Sequence, residues 1–352
     1  MELQPNSSRN SILDTKYSSY STLRTEYLHT KKFNVLDRQS KQRNGKCNIM
    51  KNKTKFLLVA ASMSAGKSSL INALLGNELL PAGNEATTTK IARISAGFKT
   101  KPIAKAYSDS GSIVESSKAI CGEQIKVWNC SDEISAFDVV IPYSGSEQHS
   151  MLAEYTLIDT PGANNSRDGR HKEQFIKAIK DYPESPILYV LNATQLGTTD
   201  DAEIIRTIRE NNPKQQVIFA LNKVDALDEE KGETAKHYVS LARKYLEGIG
   251  YKKAKIIPLM AQSALIAKKL LNQDELKRTE RNILVAELAR FREKPFHFNN
   301  AAAVPQVMKK KVRRKLVKIR KGKTIAMSEK ELNTFVDYTG LTMLNALIMR
   351  EA

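Results

Sequence analysis

Residues 61–68 read ASMSAGKS, directly after an apolar run at residues 56–60 and at the start of a helical stretch at residues 68–75. A strand that ends in small residues and feeds Gly-Lys-Ser into a helix is the context of a phosphate cradle. Successive backbone N–H groups curl around the anion, and the helix N-terminus adds partial positive charge. Lys67 is placed to reach β- and γ-phosphates, and the Ser68 hydroxyl to ligate Mg²⁺. Ala61, Ser62, Met63, Ser64, Ala65, Gly66 and Ser69 complete the candidate loop. Ala61 stands where the pattern G-x-x-x-x-G-K-[ST] has its first Gly, and a methyl fits there only if the backbone avoids the glycine-only region. Taken alone, the loop also reads as a chance Gly-Lys-Ser on a surface turn.

Four further motifs follow. Asp159-Thr160-Pro161-Gly162 closes an apolar run at residues 155–158. There the Asp159 carboxylate suits Mg²⁺ held through water, and the Gly162 N–H suits a γ-phosphate. The same quartet also makes ordinary turns, so its place after a strand carries the reading. Asn222-Lys223-Val224-Asp225 closes the run at residues 217–221. The Asp225 carboxylate can accept two hydrogen bonds from guanine's ring N–H and amino group, whereas adenine offers no such donor pair. The Lys223 stem can lie on the purine face, and Asn222 can tie this loop to the phosphate loop. In the Thr87-Thr88-Thr89 triplet, spacing selects Thr88 as a Mg²⁺ ligand and γ-phosphate sensor. Pro258-Leu259-Met260-Ala261 follows a short run at residues 255–257, where the backbone N–H of Ala261 can contact the base.

The apolar runs at residues 56–60, 137–142, 155–158, 186–191, 217–221 and 255–257 read as strands. Helical patterns at residues 201–211 and 234–247 separate the last three. Strands apolar on both faces that alternate with helices make a mostly parallel α/β sheet with helices on both faces. Ligands of such sheets bind at the carboxyl ends of the strands, where these motifs sit. The expected fold is therefore that of a P-loop GTPase.

The formal net charge is +18. Residues 1–53 hold eleven Lys/Arg against four Asp/Glu, and residues 309–323 hold ten Lys/Arg and no acid. The rest of the chain is close to neutral. Basicity confined to two segments argues against a protein-wide nucleic-acid surface. Residues 1–53 are Ser/Asn-rich without apolar period and read as a disordered extension, with a short helix around residues 22–32. Four acidic residues there disfavour a transit peptide, and Met50 is an alternative start. No apolar run approaches a membrane span and no secretory signal is present, which points to a cytoplasmic protein. Cys47, Cys121 and Cys130 form no metal-type cluster.

The strings SAGKSSLINALLG, LLPAGNEATTTK, LIDTPGANNSRDGRH and ALNKVD resemble the GTPase domain of bacterial dynamin-like proteins. The resemblance spans roughly residues 54–352. It implies GTP as substrate, GDP as product, Mg²⁺, and self-association through the nucleotide face. Ser64 then corresponds to the serine that helps hold a charge-compensating monovalent cation, so Ser64, Lys67, Thr88 and Gly162 form the implied catalytic set. Met63 stands where many dynamins have a water-positioning Gln, and a thioether cannot do that work; the resemblance then implies either slow hydrolysis or a water held by backbone groups of residues 162–165. Residues 339–348 look like the closing helix of the nucleotide fold. Residues 262–335, including a helix at 274–291, read as inserted helices, and Ser328 with Glu331 forms a capping box. The stalk and membrane tip of dynamins have no counterpart in the sequence, so a separate stalk-bearing partner is one implied arrangement.

Residues 309–323 read KKKVRRKLVKIRKGK, with Val312, Leu316 and Ile319 at helical spacing. Three readings stay open: peripheral binding to anionic membrane lipid, nucleic-acid phosphate, and a solvated helix face docked by those apolar residues. The tract has no aromatic for base stacking, which disfavours nucleic acid. His171 reads as a surface helix residue. A dynamin-like GTPase leads. A ribosome-assembly GTPase and a guanine-nucleotide sensor without turnover are the alternatives, and an ATPase is the least favoured.

Overall fold

A computed structural model describes residues 55–81, 90–98, 101–118, 121–143, 151–161, 169–317 and 328–351. The expectations for residues 1–53, Thr88, Gly162, the 162–165 loop and Ile319 lie outside these, as does the His171 side chain.

Among the described residues nine strands form one sheet, in the order β4-β3-β5-β2-β6-β1-β7-β8-β9. Its parallel heart is β6 (Tyr155–Asp159), β1 (Lys55–Ala61), β7 (Ile187–Asn192), β8 (Val217–Asn222) and β9 (Ile256–Leu259). Every residue of β6, β7 and β9 is buried. That burial on both faces is why these segments read as unbroken apolar runs. The fold is the mostly parallel, helix-covered α/β sheet expected of a P-loop GTPase.

The other half of the sheet was not expected in full. β2 (Ile91–Phe98) runs antiparallel to β6 and parallel to β5 (Ala136–Tyr143). β3 (Ile103–Tyr107) and β4 (Ile113–Ser117) extend it antiparallel to the edge. β3 buries only alternate residues, through the small side chains Ala104 and Ala106, and most of β4 is exposed. Neither presents the long apolar run that marks a buried strand.

Helices α1 (Lys67–Leu75), α2 (Gly122–Cys130), α3 (Gly169–Asp181), α4 (Thr199–Asn211) and α5 (Ala235–Ile249) connect the strands. α4 and α5 start on Thr198 and Thr234, whose hydroxyls accept from backbone N–H groups of the first turn. After β9 come α6 (Ala261–Leu271), α7 (Arg278–Glu293), α8 (His297–Ala301), α9 (Gln306–Val317), α10 (Glu329–Tyr338) and α11 (Leu341–Glu351). The cap of α10 is as expected: the Glu331 N–H donates to Ser328 Oγ at 3.3 Å and the Ser328 N–H to Glu331 Oε2 at 3.0 Å.

A closing helix was expected at residues 339–348, and α11 forms there; α6 already begins at Ala261, separated from β9 by one residue, and packs on α1. α11 also docks on β9, and its Leu344 and Ile348 are fully buried as their spacing implied. The basic tract begins on α9, where Val312 and Leu316 are buried and Lys310, Lys311, Arg313, Arg314 and Lys315 are exposed.

Asn72 of α1 fixes the chain that leaves the helix. Fully buried, it accepts from the N–H groups of Leu79 at 3.1 Å and Leu80 at 2.8 Å and donates to Leu80 O at 2.7 Å. Asn72→Ala would take away the side-chain partner of the Leu80 N–H and C=O inside the protein, while the Leu79 N–H keeps its bond to Asn77 O. We expect it to lower stability by about 3 kcal/mol, read as a lower midpoint in urea melts.

Candidate functional site

Parallel strands present their carboxyl ends at one edge of the sheet. Ala61, Asp159, Asn192, Asn222 and Leu259 are the last residues of β1, β6, β7, β8 and β9. Asn192 pairs with Asn222, and Asn222 with Leu259, in register. The polar residues that end β6, β7 and β8 are therefore delivered to a common rim.

The loop between β1 and α1 has the backbone of an anion cradle. Ser64 adopts φ 61° and Gly66 φ 90°. A left-handed Ser among non-glycine residues is uncommon and turns successive N–H groups inward. A Cβ on Gly66 would overlap Asn222 Nδ2. Ala61 is the last residue of β1 and has no positive φ, so it meets the condition for a methyl at that position. Ser62 hydrogen-bonds Asp201 of α4, while Met63 points outward, 58% exposed.

The Lys67 ammonium donates to Asp159 Oδ1, and Asp159 is completely buried. The candidate phosphate-binding cation and metal-binding carboxylate thus meet at one locus, beside Ser68 on the first turn of α1. Thr160 is pinned by its hydroxyl to Val59 O at 2.8 Å, which holds the start of the Asp159 loop against β1. Ser68 and Asp159 are hard oxygen donors, and such donors suit Mg²⁺. Among the described residues no group of three His, Cys, Asp or Glu could hold a metal ion by itself. A Mg²⁺ shared with nucleotide phosphates needs only one or two protein ligands.

The other end of the site is organised by Asn222. Its Nδ2 donates to Ala65 O at 3.0 Å, and its Oδ1 accepts from the Ala261 N–H at 3.0 Å. One amide therefore joins the phosphate loop, the β8 loop and the start of α6. Lys223 follows with φ 64°, a conformation that sharply turns the chain. Asp225 is half-buried and accepts from Ser263 Oγ at 3.0 Å. Burial pushes its carboxyl pKa up, opposed by the Ser263 hydroxyl and by Arg290. A cavity of about 450 Å³ opens here, lined by Gly66, Ser69, Asn222, Lys223 and Asp225 on one side. Its size lies in the range of small-molecule sites.

Residues 61–69, Asp159, Asn222, Lys223, Asp225 and Ala261 gather along this rim.

 Thr88 and Gly162 lie outside the described residues. The sequence reading missed four contributors. Asn192 donates to Ser64 O at 3.5 Å and to Gln195 Oε1 at 3.2 Å. Asp201 is held by the Tyr189 hydroxyl at 2.7 Å and by Ser62. Ser263 orients Asp225, and α7 supplies Ile283, Ala286 and Glu287 to the far wall of the cavity. Asn192 carried the same signal as Asn222, a polar residue ending an apolar run. The α7 residues carried none, because only packing brings that helix to the rim.

The family model described as the dynamin family matches residues 57–224. That match, with the relatives below, makes the chain similar to bacterial dynamin-like GTPases. Its mixed, mostly parallel sheet is consistent with a dynamin-type GTPase domain. It is 26% identical to dynamin-like protein A of Bacillus subtilis (strain 168) over 177 residues, covering 49% of this chain and 14% of that protein. It is 24% identical to dynamin-related protein 3B of Arabidopsis thaliana over 277 residues, covering 72% of this chain and 33% of that protein. The chain thus spans a minor part of the length of both. A solved structure described as an oligomerised bacterial dynamin pair for the long range sensing and tethering of membranes overlays with a TM-score of 0.48 at 15% identity, covering 91% of this chain and 52% of that one.

Asn222→Ala would remove both ties at once and leave the Ala65 carbonyl and the Ala261 N–H unpaired. We expect a loss of about 2 kcal/mol in stability. Hydrogen exchange at the Ala261 amide should speed up with it, while amides of β7 away from the rim stay protected.

Proposed function

We propose that this dynamin-family domain binds and hydrolyses GTP, and that its switches control self-association through the nucleotide face. The single observation that supports this best is the convergence of Lys67, Asp159, Asn222 and Asp225 on one sheet edge, with Asn222 bonded to both the phosphate loop and Ala261. In this reading the N–H groups of residues 61–69 cradle the phosphates, and Lys67 neutralises charge on the β- and γ-phosphates. Ser68, Thr88 and Asp159 hold Mg²⁺, which neutralises charge on the phosphates when bound. Lys223 covers the purine and Asp225 reads guanine, while the Ala261 N–H, expected to contact the base, is instead bonded to Asn222. Ser64 helps hold a monovalent cation, and Gly162 touches the γ-phosphate. Met63 offers no hydrogen bond to a water, so backbone groups of residues 162–165 position the nucleophile. The domain runs from residue 54 to residue 352, with residues 262–335 as its helical insertion.

A second reading is a guanine-nucleotide sensor with little turnover, and exposed Met63 favours it. Phosphate release from GTP and ATP separates the two. Turnover of GTP alone, reduced by about 100-fold or more in Lys67→Ala, supports the enzyme. Tight GTP binding without release supports the sensor. Asp225→Asn should weaken GTP binding by about 100-fold and favour xanthosine triphosphate, because the new amide donates where the carboxylate accepted. An unchanged base preference would remove Asp225 from its role.

The domain acts in the cytoplasm and at the membrane surface. Val312 and Leu316 dock α9, leaving five Lys/Arg side chains of that helix in solvent. This supports peripheral attachment to anionic lipid, alone or beside a stalk-bearing partner. Among the described residues no helix is long and apolar enough to cross a membrane. Sedimentation with phosphatidylserine vesicles should capture the chain at low salt and release it as salt rises. Replacing Lys310, Lys311, Arg313 and Arg314 with Gln should abolish capture. Equal capture by neutral vesicles would count against the proposal.

A further inference from the structure

The far wall of the base cavity comes from α7, a helix about 60 residues beyond the Asn222 motif in the chain. Ile283, Ala286, Glu287 and Arg290 fall at i, i+3, i+4 and i+7 and so share one helical face. The first three line the cavity, and Arg290 Nη2 lies 3.5 Å from Asp225 O. Glu287 is 6% exposed. Its Oε2 makes no hydrogen bond and lies 3.5 Å from Arg290 Nη1, at ion-pair distance. A buried carboxylate oxygen without a hydrogen bond is costly unless a ligand completes it.

Asp225 and Glu287 feel one another's charge across this cavity. Two acceptors side by side suit a ligand edge with several donors. Guanine has three on one edge, the ring N–H and two amino hydrogens, and Asp225 can take only two. We propose that Glu287 is a second base-reading carboxylate, which accepts the amino hydrogen that Asp225 leaves free. The inference rests on the guanine reading above and adds a specificity-determining residue to it. Burial pushes the Glu287 carboxyl up to about 7. A donor in the cavity then holds it as the carboxylate. Arg290 completes the arrangement by facing Glu287 and the Asp225 backbone together, which keeps α7 on the rim.

The test compares equilibrium binding of GDP, IDP and 2′-deoxy-GDP to the full chain. IDP lacks only the amino group, and 2′-deoxy-GDP lacks only one ribose hydroxyl. We expect the preference for GDP over IDP to fall by about tenfold in Glu287→Ala, with IDP affinity nearly unchanged. Glu287→Gln keeps the shape of the side chain and loses the charge. It should lower the same preference severalfold while melting with the wild-type chain, so a misfolded alanine variant does not decide the matter. An unchanged GDP-to-IDP ratio in both variants overturns the proposal. So does equal weakening of all three ligands, which would make Glu287 a packing residue. A changed ratio of GDP to 2′-deoxy-GDP, with the IDP ratio intact, overturns it in favour of a ribose contact. Asp225→Asn is the control on the underlying reading: if its base preference matches wild type, the guanine assignment fails, and if it shifts while Glu287 variants do not, only the present proposal fails.

Discussion

The Asn222 amide joins segments that the chain keeps far apart. It bonds the phosphate loop through Ala65 and the start of α6 through Ala261, residues separated from it by 157 and 39 positions. Both bonds are buried, so neither is weakened by competing water. Gly66 is a consequence of the same contact, because any side chain there would collide with Asn222. The cradle, the base loop and the closing helix therefore hold their spacing as a unit. In the proposed function a nucleotide needs that spacing, since its phosphates and its base would be read by different loops.

Much of the parallel half of this architecture was legible because its physics is simple. A strand buried on both faces must be continuously apolar, and β6, β7 and β9 are buried along their whole length. The motifs then mark the strand ends, as Asp159 and Asn222 do. The half of the sheet from β2 to β4 was harder to see. Ala92, Ala104 and Ala106 are buried there, and small residues give little hydrophobic signal. Ile113 and Val114 on the edge strand are exposed, so their apolar character does not report burial at all.

The site itself was legible in proportion to how local its chemistry is. Lys67 and Ser68 act from one loop, and the sequence around them is sufficient to suggest it. Ser263, Asp201 and Glu287 act through tertiary packing. Tyr189 supports Asp201 from β7, and nothing in the spacing of residues 189 and 201 announces that bond. The helix after β9 shows the same limit. A closing helix was expected at residues 339–348 and forms there, but the sequence did not single out α6, which begins at Ala261 with its first N–H bonded to Asn222.

The helices after β9 form one packed layer, and that continuity gives the C-terminal region a direct bearing on the base site. Phe291 of α7 packs against Phe335 and Tyr338 of α10, with ring centroids 6.0 and 4.9 Å away. Asp337 of α10 in turn lies 3.7 Å from Lys315 of α9. The helix that walls the cavity and the helix that carries the basic face therefore lean on the same neighbour. Aromatic packing of this kind resists small displacements, since close-packed interiors have little free volume. α10 consequently fixes the position of Glu287 as well as the direction in which α9 presents its Lys and Arg side chains. The nucleotide rim and the charged face are set by one core, and a change in either must be accommodated through the Phe291, Phe335 and Tyr338 cluster.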